Sequence, residues 1–108
     1  MTARRTVVVP AAASKRDVLV AFGEALGFPA YYRPNLDAFN DCLQDLASEL
    51  ANDEGQPVAL EWHVHPAFRE LPAFVAMREI LADAVEASCG TLTLKVASWG
   101  SPPGGHLT

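Results

Sequence analysis

Phe28-Pro29-Ala30-Tyr31-Tyr32-Arg33-Pro34-Asn35-Leu36-Asp37-Ala38-Phe39-Asn40-Asp41-Cys42-Leu43 is the stretch on which the reading of this 108-residue chain turns. Two prolines bracket a tyrosine pair, which predicts a stiff loop, since each proline fixes its own φ and restricts the residue before it. Asn35 is a strong helix N-cap. After it Leu36, Phe39, Leu43, Leu46 and Leu50 recur at helical spacing and predict a buried stripe. Asp37, Asp41, Gln44 and Asp45 fall away from that stripe. Carboxylates four residues apart share a helical face and disfavour the helix by about 0.2–0.5 kcal/mol per pair. Folding alone does not ask for this pattern, whereas a positively charged partner would.

Working outward, Thr6 to Pro10 is a β-branched run that predicts a buried strand. Ser14 caps a helix, with Asp17 three residues on, and Val18, Leu19, Phe22, Ala25 and Leu26 carry its apolar face until Gly27 stops it. Of Tyr31 and Tyr32, one is expected to point inward and one outward. Pro57 to Trp62 predicts a second strand, Pro66 to Pro72 a short helical turn, Ala73 to Ala87 a longer helix, and Thr91 to Ala97 a third strand. The order β-αα-β-αα-β has helical crossovers, so the predicted fold class is α/β with a three-stranded parallel sheet. Residues 1–99 are expected to form one domain, and 100–108, rich in Gly and Pro, a flexible tail.

Composition narrows the function. The formal charge is −5, which argues against binding nucleic acid through its phosphates. The sign is uneven: from Pro34 to Phe68 there is no Lys or Arg, yet Asp37, Asp41, Asp45, Glu49, Asp53, Glu54 and Glu61 all fall there. That surface either serves solubility or meets a cationic partner. Two cysteines, Cys42 and Cys89, are too few for a disulfide framework and are expected to be buried free thiols. The Arg4-Arg5 start with its apolar run is broken by Pro10 and followed by Lys15-Arg16, unlike a signal peptide, and no segment has transmembrane length. The expected location is cytoplasmic.

No cofactor signature has the right spacing. The nearest metal pattern is Glu61-Trp62-His63-Val64-His65, whose alternate residues would share a strand face. Pro66 follows directly, so both histidines are expected past the strand's end, outside the acidic helix face.

Phe28 to Tyr32, Asn35 to Phe39 and Asp41 to Leu43 together resemble the signature of the barstar family, intracellular inhibitors of secreted bacterial ribonucleases. Leu60-Glu61-Trp62 resembles that family's second strand, Cys89 falls where the family has a cysteine, and the resemblance spans about residues 6 to 97. It implies a three-stranded parallel sheet with helices packed against it, no catalytic residues, no cofactor, and a second helix and preceding loop that plug a ribonuclease active site. By this resemblance Tyr31 packs on the enzyme, Asp37 and Asp41 are the helix carboxylates, Asp41 takes the place of the substrate phosphate, and Asp83 is a further interface acid. Asn40 stands where the best-known member has an aromatic, and Asp45-Leu46 where it has glycine and tryptophan. Asn40, Gln44 and Asp45 are accordingly counted with the partner-facing residues, while Glu49, farther along, is expected to contribute little. The implied partner is a barnase-like or other guanyl-specific microbial ribonuclease in a 1:1 complex, with no direct binding of nucleic acid or membrane. The alternatives are an immunity protein for a non-ribonuclease toxin, a small metal-dependent enzyme using Glu61, His63 and His65, and an interaction module that uses a barstar-like fold for another purpose.

Overall fold

The computed structural model describes residues 5–52 and 56–98; the expected tail over 100–108 lies outside them. The elements are β1 (Arg5–Val9), α1 (Lys15–Leu26), α2 (Leu36–Ala51), β2 (Val58–Val64), α3 (Pro66–Arg69), α4 (Pro72–Ala87) and β3 (Leu92–Ser98). All strands are parallel, in the order β1-β2-β3, with Val7 paired to Leu60 and Leu60 to Leu94. The α/β class and the β-αα-β-αα-β order expected from the sequence are both present.

Local chemistry sets both ends of α1 and the start of α2. The Ser14 side chain accepts the Asp17 amide at 3.1 Å, Asn35 Oδ1 accepts the Ala38 amide at 2.8 Å, and Gly27 closes α1 in the left-handed region at φ 68°. Such a cap stabilises a helix by about 1 kcal/mol over alanine.

Strand alternation gives the sheet one buried face. Val7 and Val9, then Val58, Leu60, Trp62 and Val64, then Leu92 point into the core. Thr6, Val8, Glu61, His63, Thr93 and Lys95 lie on the opposite face, half or fully exposed. Trp62 organises the covered side. Its ring lies 5.2 Å from Phe22 of α1, 6.0 Å from Phe68 of α3 and 5.5 Å from Phe74 of α4, and Phe22 in turn meets Phe39 of α2 edge-on at 5.0 Å. Aromatic pairs of this kind add about 0.5–1.5 kcal/mol each beyond the area they bury.

Three expectations need correction. β2 does not end at Trp62 but runs through His63 to Val64, because it is the central strand and is paired on the β3 side as far as Ser98. Pro66 terminates nothing there; it occupies the first turn of α3, where a missing amide is harmless. His63 therefore lies within the strand, and only His65 lies beyond it, as the α3 cap, accepting the Ala67 amide on Nδ1 at 3.0 Å. Finally, Cys42 is buried but Cys89 is exposed, held at φ 57° in the turn after α4; both are free.

Gly23 determines how closely the tyrosine loop approaches α1. A Cβ placed there would lie 2.6 Å and 2.8 Å from Tyr32 Cε2 and Cδ2. Gly23→Ala should gain about 1 kcal/mol of helix propensity and lose about 1–3 kcal/mol to overpacking. We expect a net loss in urea unfolding of about 1 kcal/mol, the difference of those two effects. A more stable variant would show that the ring yields freely.

Candidate functional site

The loop after α1 sorts its two tyrosines by hydrogen bonding. The Tyr32 amide donates to Pro29 O at 2.9 Å, closing a tight turn with Ala30 and Tyr31 at its corner. Tyr32 folds back: its hydroxyl donates to Leu19 O at 2.8 Å and its ring meets Phe28 edge-on at 4.9 Å. Tyr31 is thrown outward and is 72% exposed, among the most exposed large apolar side chains described. The expected inward-and-outward division of the pair is what the structure has.

The loop delivers the chain to Asn35, and α2 sets out with its stripe against the core. Phe39, Leu43 and Leu50 are buried; Leu36 and Leu46 pack partly buried against them. Asp37, Asn40, Asp41 and Asp45 are exposed and Gln44 is half-buried. Positions 37, 40, 41, 44 and 45 are three, four, seven and eight apart, so α2 brings all five onto one face. Gln44 Nε2 donates to Asn40 Oδ1 at a long 3.5 Å. Among the described residues none of Asp37, Asp41 and Asp45 has an ion-pair partner, and the one salt bridge within 4.0 Å joins other residues. Asp83 is exposed on α4, the helix packed on α2, and is likewise unpaired among the described residues.

Two ionisable side chains in this region are shifted from their ordinary values. Burial, and secondarily the charge of a Cys42 thiolate, push the Tyr32 hydroxyl from 10.0 up to about 12. Burial, then Asp45 and Asp41, raise the Cys42 thiol. Cys42 is thus a poor nucleophile at neutral pH, as a thiol is when held neutral by apolar surroundings and adjacent acids. The arrangement is an exposed array of carboxylates on one helix face with one exposed aromatic beside it, surfaces suited to meeting cationic groups.

The metal pattern divides differently. Glu61 and His63 do share the open sheet face, and His63 Nε2 meets Glu61 Oε1 at 2.7 Å. His65 is turned to its capping role. Among the described residues no group of three or more His, Cys, Asp or Glu is placed to hold a metal, and no helix is long and apolar enough to cross a membrane.

One feature escaped the sequence reading. Beside the acidic face, between α2 and the tyrosine loop, lies a recess of about 200 Å³ lined in part by Phe28, Tyr31, Cys42, Asp45, Leu46 and Glu49. Its α2 residues lie at 42, 45, 46 and 49, again at helical spacing, but a loop wall cannot be inferred from one helix's periodicity.

The family model described as Barstar (barnase inhibitor) matches residues 3–96. No curated protein matches the chain.

The Tyr32 phenol holds its proton more tightly folded than unfolded. Its stabilising effect is therefore whole below pH 10.0 and lost as the pH rises through about 12. At neutral pH Tyr32→Phe should cost about 1 kcal/mol for the lost hydrogen bond. The gap in unfolding free energy between wild type and variant should close and then reverse between pH 10 and pH 12; a gap constant across that range would refute the assignment.

Proposed function

Because the chain belongs to the barstar family, whose role is of the barnase-inhibitor type, we propose that it neutralises a secreted microbial ribonuclease in the cytoplasm by plugging the enzyme's active site in a 1:1 complex. The observation that carries this reading is the row of α2 carboxylates, without ion-pair partners among the described residues, beside an outward tyrosine.

A ribonuclease active site is a cleft of cations arranged for phosphate. In the proposed complex Asp41 occupies the phosphate position and Asp37 flanks it, each accepting hydrogen bonds from the enzyme's basic groups while presenting no ester to cleave. Asn40, Gln44 and Asp45 extend the same face, Tyr31 packs on the enzyme surface, and Asp83 of α4 adds a further acid. Since α2 and the loop are already braced by the Asn35 cap and the Tyr32 hydroxyl, little ordering is left to do on binding, which favours affinity. Complementary charge raises the encounter rate and disfavours other partners. The reducing cytoplasm suits two free thiols.

The direct test is capture of a partner from the secreted fraction of the source organism on the purified chain, followed by a ribonuclease assay of what is captured. A ribonuclease that loses activity at one equivalent of the chain supports the reading; a captured toxin with no ribonuclease activity contradicts it.

Asp41→Ala should weaken binding most, because it leaves buried cations without a counter-charge. Truncating one member of such a pair costs about 2–5 kcal/mol, a range whose reference cases include the barnase–barstar complex itself. The loss should appear in the dissociation rate, with Asp37→Ala and Asp83→Ala each costing less and the fold intact. Salt should act on association instead: between 0.01 M and 0.15 M the Debye length falls from about 30 Å to about 8 Å, and the association rate should fall with it. A rate flat across that range would exclude electrostatic steering.

A further inference from the structure

We infer that the recess between α2 and the tyrosine loop is a specificity subsite that receives a single arginine side chain of the partner, outside the active-site cations met by Asp37 and Asp41. The identity of the partner rests on the ribonuclease-inhibitor reading; the chemistry of the recess does not.

At about 200 Å³ the recess is below the range of sites for drug-sized ligands, about 300–1,000 Å³, and suits one side chain. Its lining has two kinds of surface. Phe28 and Leu46 supply apolar wall; Asp45 and Glu49, one turn apart on α2, supply two carboxylates with no ion-pair partner among the described residues. Tyr31 stands at the same recess with its ring exposed. No lining residue is a Lys, Arg or His. Cys42, a residue only 5% exposed, also lines the recess.

An occupant must bring positive charge to the acids, apolar surface to the walls and a flat face to the tyrosine. Arginine meets all three. Its methylene stem is apolar, its guanidinium is a planar fork matched to carboxylates, and the same plane stacks on aromatic rings. Lysine supplies the charge but neither the fork nor the plane. The recess also accounts for Asp45 and Glu49 in one contact, and gives Glu49 a role that its distance from Asp37 along the helix had argued against.

The probe is N-acetyl-L-argininamide, titrated into the full ¹⁵N-labelled chain, with neutral N-acetyl-L-citrullinamide as its isostere. Saturable shifts should centre on the amides of Tyr31, Cys42, Asp45 and Glu49 and should be at least about tenfold weaker in affinity for the citrulline compound, as expected for hydrogen bonds that lose their charge. Asp45→Asn with Glu49→Gln should weaken the arginine compound by about tenfold or more, and Leu46→Phe should block it by filling the recess. Glu79→Gln with Glu86→Gln, the same charge change on α4, should leave the affinity unaltered. Absence of saturable shifts at the recess, or equal losses from the two double variants, would overturn the subsite. A chain that inhibits its ribonuclease but takes no argininamide in the recess overturns the subsite alone. A chain that binds argininamide there but inhibits no ribonuclease overturns the functional reading alone.

Discussion

Edge-on packing of Phe22 against both Trp62 and Phe39 is the contact from which the rest of the arrangement follows. Trp62 is on the central strand, Phe22 on α1 and Phe39 on α2, so one chain of rings ties the two helices that flank the tyrosine loop to the sheet. Only one face of the sheet is buried, and the apolar stripes of the helices are directed to it. Once Phe39 is fixed inward, Asp37, Asp41 and Asp45 have nowhere to point but outward. Replacing a buried aromatic of this kind by alanine removes about 3–5 kcal/mol, a large part of the roughly 5–15 kcal/mol that holds a domain together. The anionic face is thus a consequence of core packing, and its geometry is only as firm as that packing.

Among the described residues the carboxylates of this face have no ion-pair partner. Like charges one turn apart oppose the helix slightly, and Asp37, in the first turn, recovers some of this from the helix dipole. Leaving the carboxylates in water costs little, since they keep their hydration. Pairing them in a dry interface requires partners that satisfy them fully, or the desolvation goes uncompensated. That asymmetry makes such a face selective: it rewards a cleft whose cations match it in position, and rejects one in which they do not. The tyrosine pair divides the labour, with Tyr32 anchoring the loop through Leu19 O and Tyr31 left free to make contact.

Much of this was legible in the sequence because it is local. Ser14, Asn35 and Gly27 mark helix ends through bonds to residues three or four away, and the Leu36-Phe39-Leu43-Leu50 spacing identifies the buried side of α2 without reference to any other element. The order of elements was enough for the parallel sheet. Where reading by local signals failed, the deciding contact was distant. Pro66 looked like the end of β2, but pairing with β3 carries the strand on to Val64 and the proline begins the next helix. Cys89 looked like a buried thiol beside a strand, but the turn after α4 holds it at positive φ in the open. The recess could not be read at all, since its two walls are brought together by the loop's hydrogen bonds and not by any periodicity.

In the proposed complex the carboxylate face occupies the place where the partner enzyme holds a phosphate, so the chain and a nucleotide should compete for the enzyme. The ribonuclease captured by the chain should be titrated with the chain at increasing concentrations of a guanosine monophosphate bound at the enzyme's active site. Strict competition is expected, with the apparent dissociation constant of the chain rising linearly with nucleotide concentration and without limit. A ternary complex, seen as an apparent constant that levels off at saturating nucleotide, would contradict it.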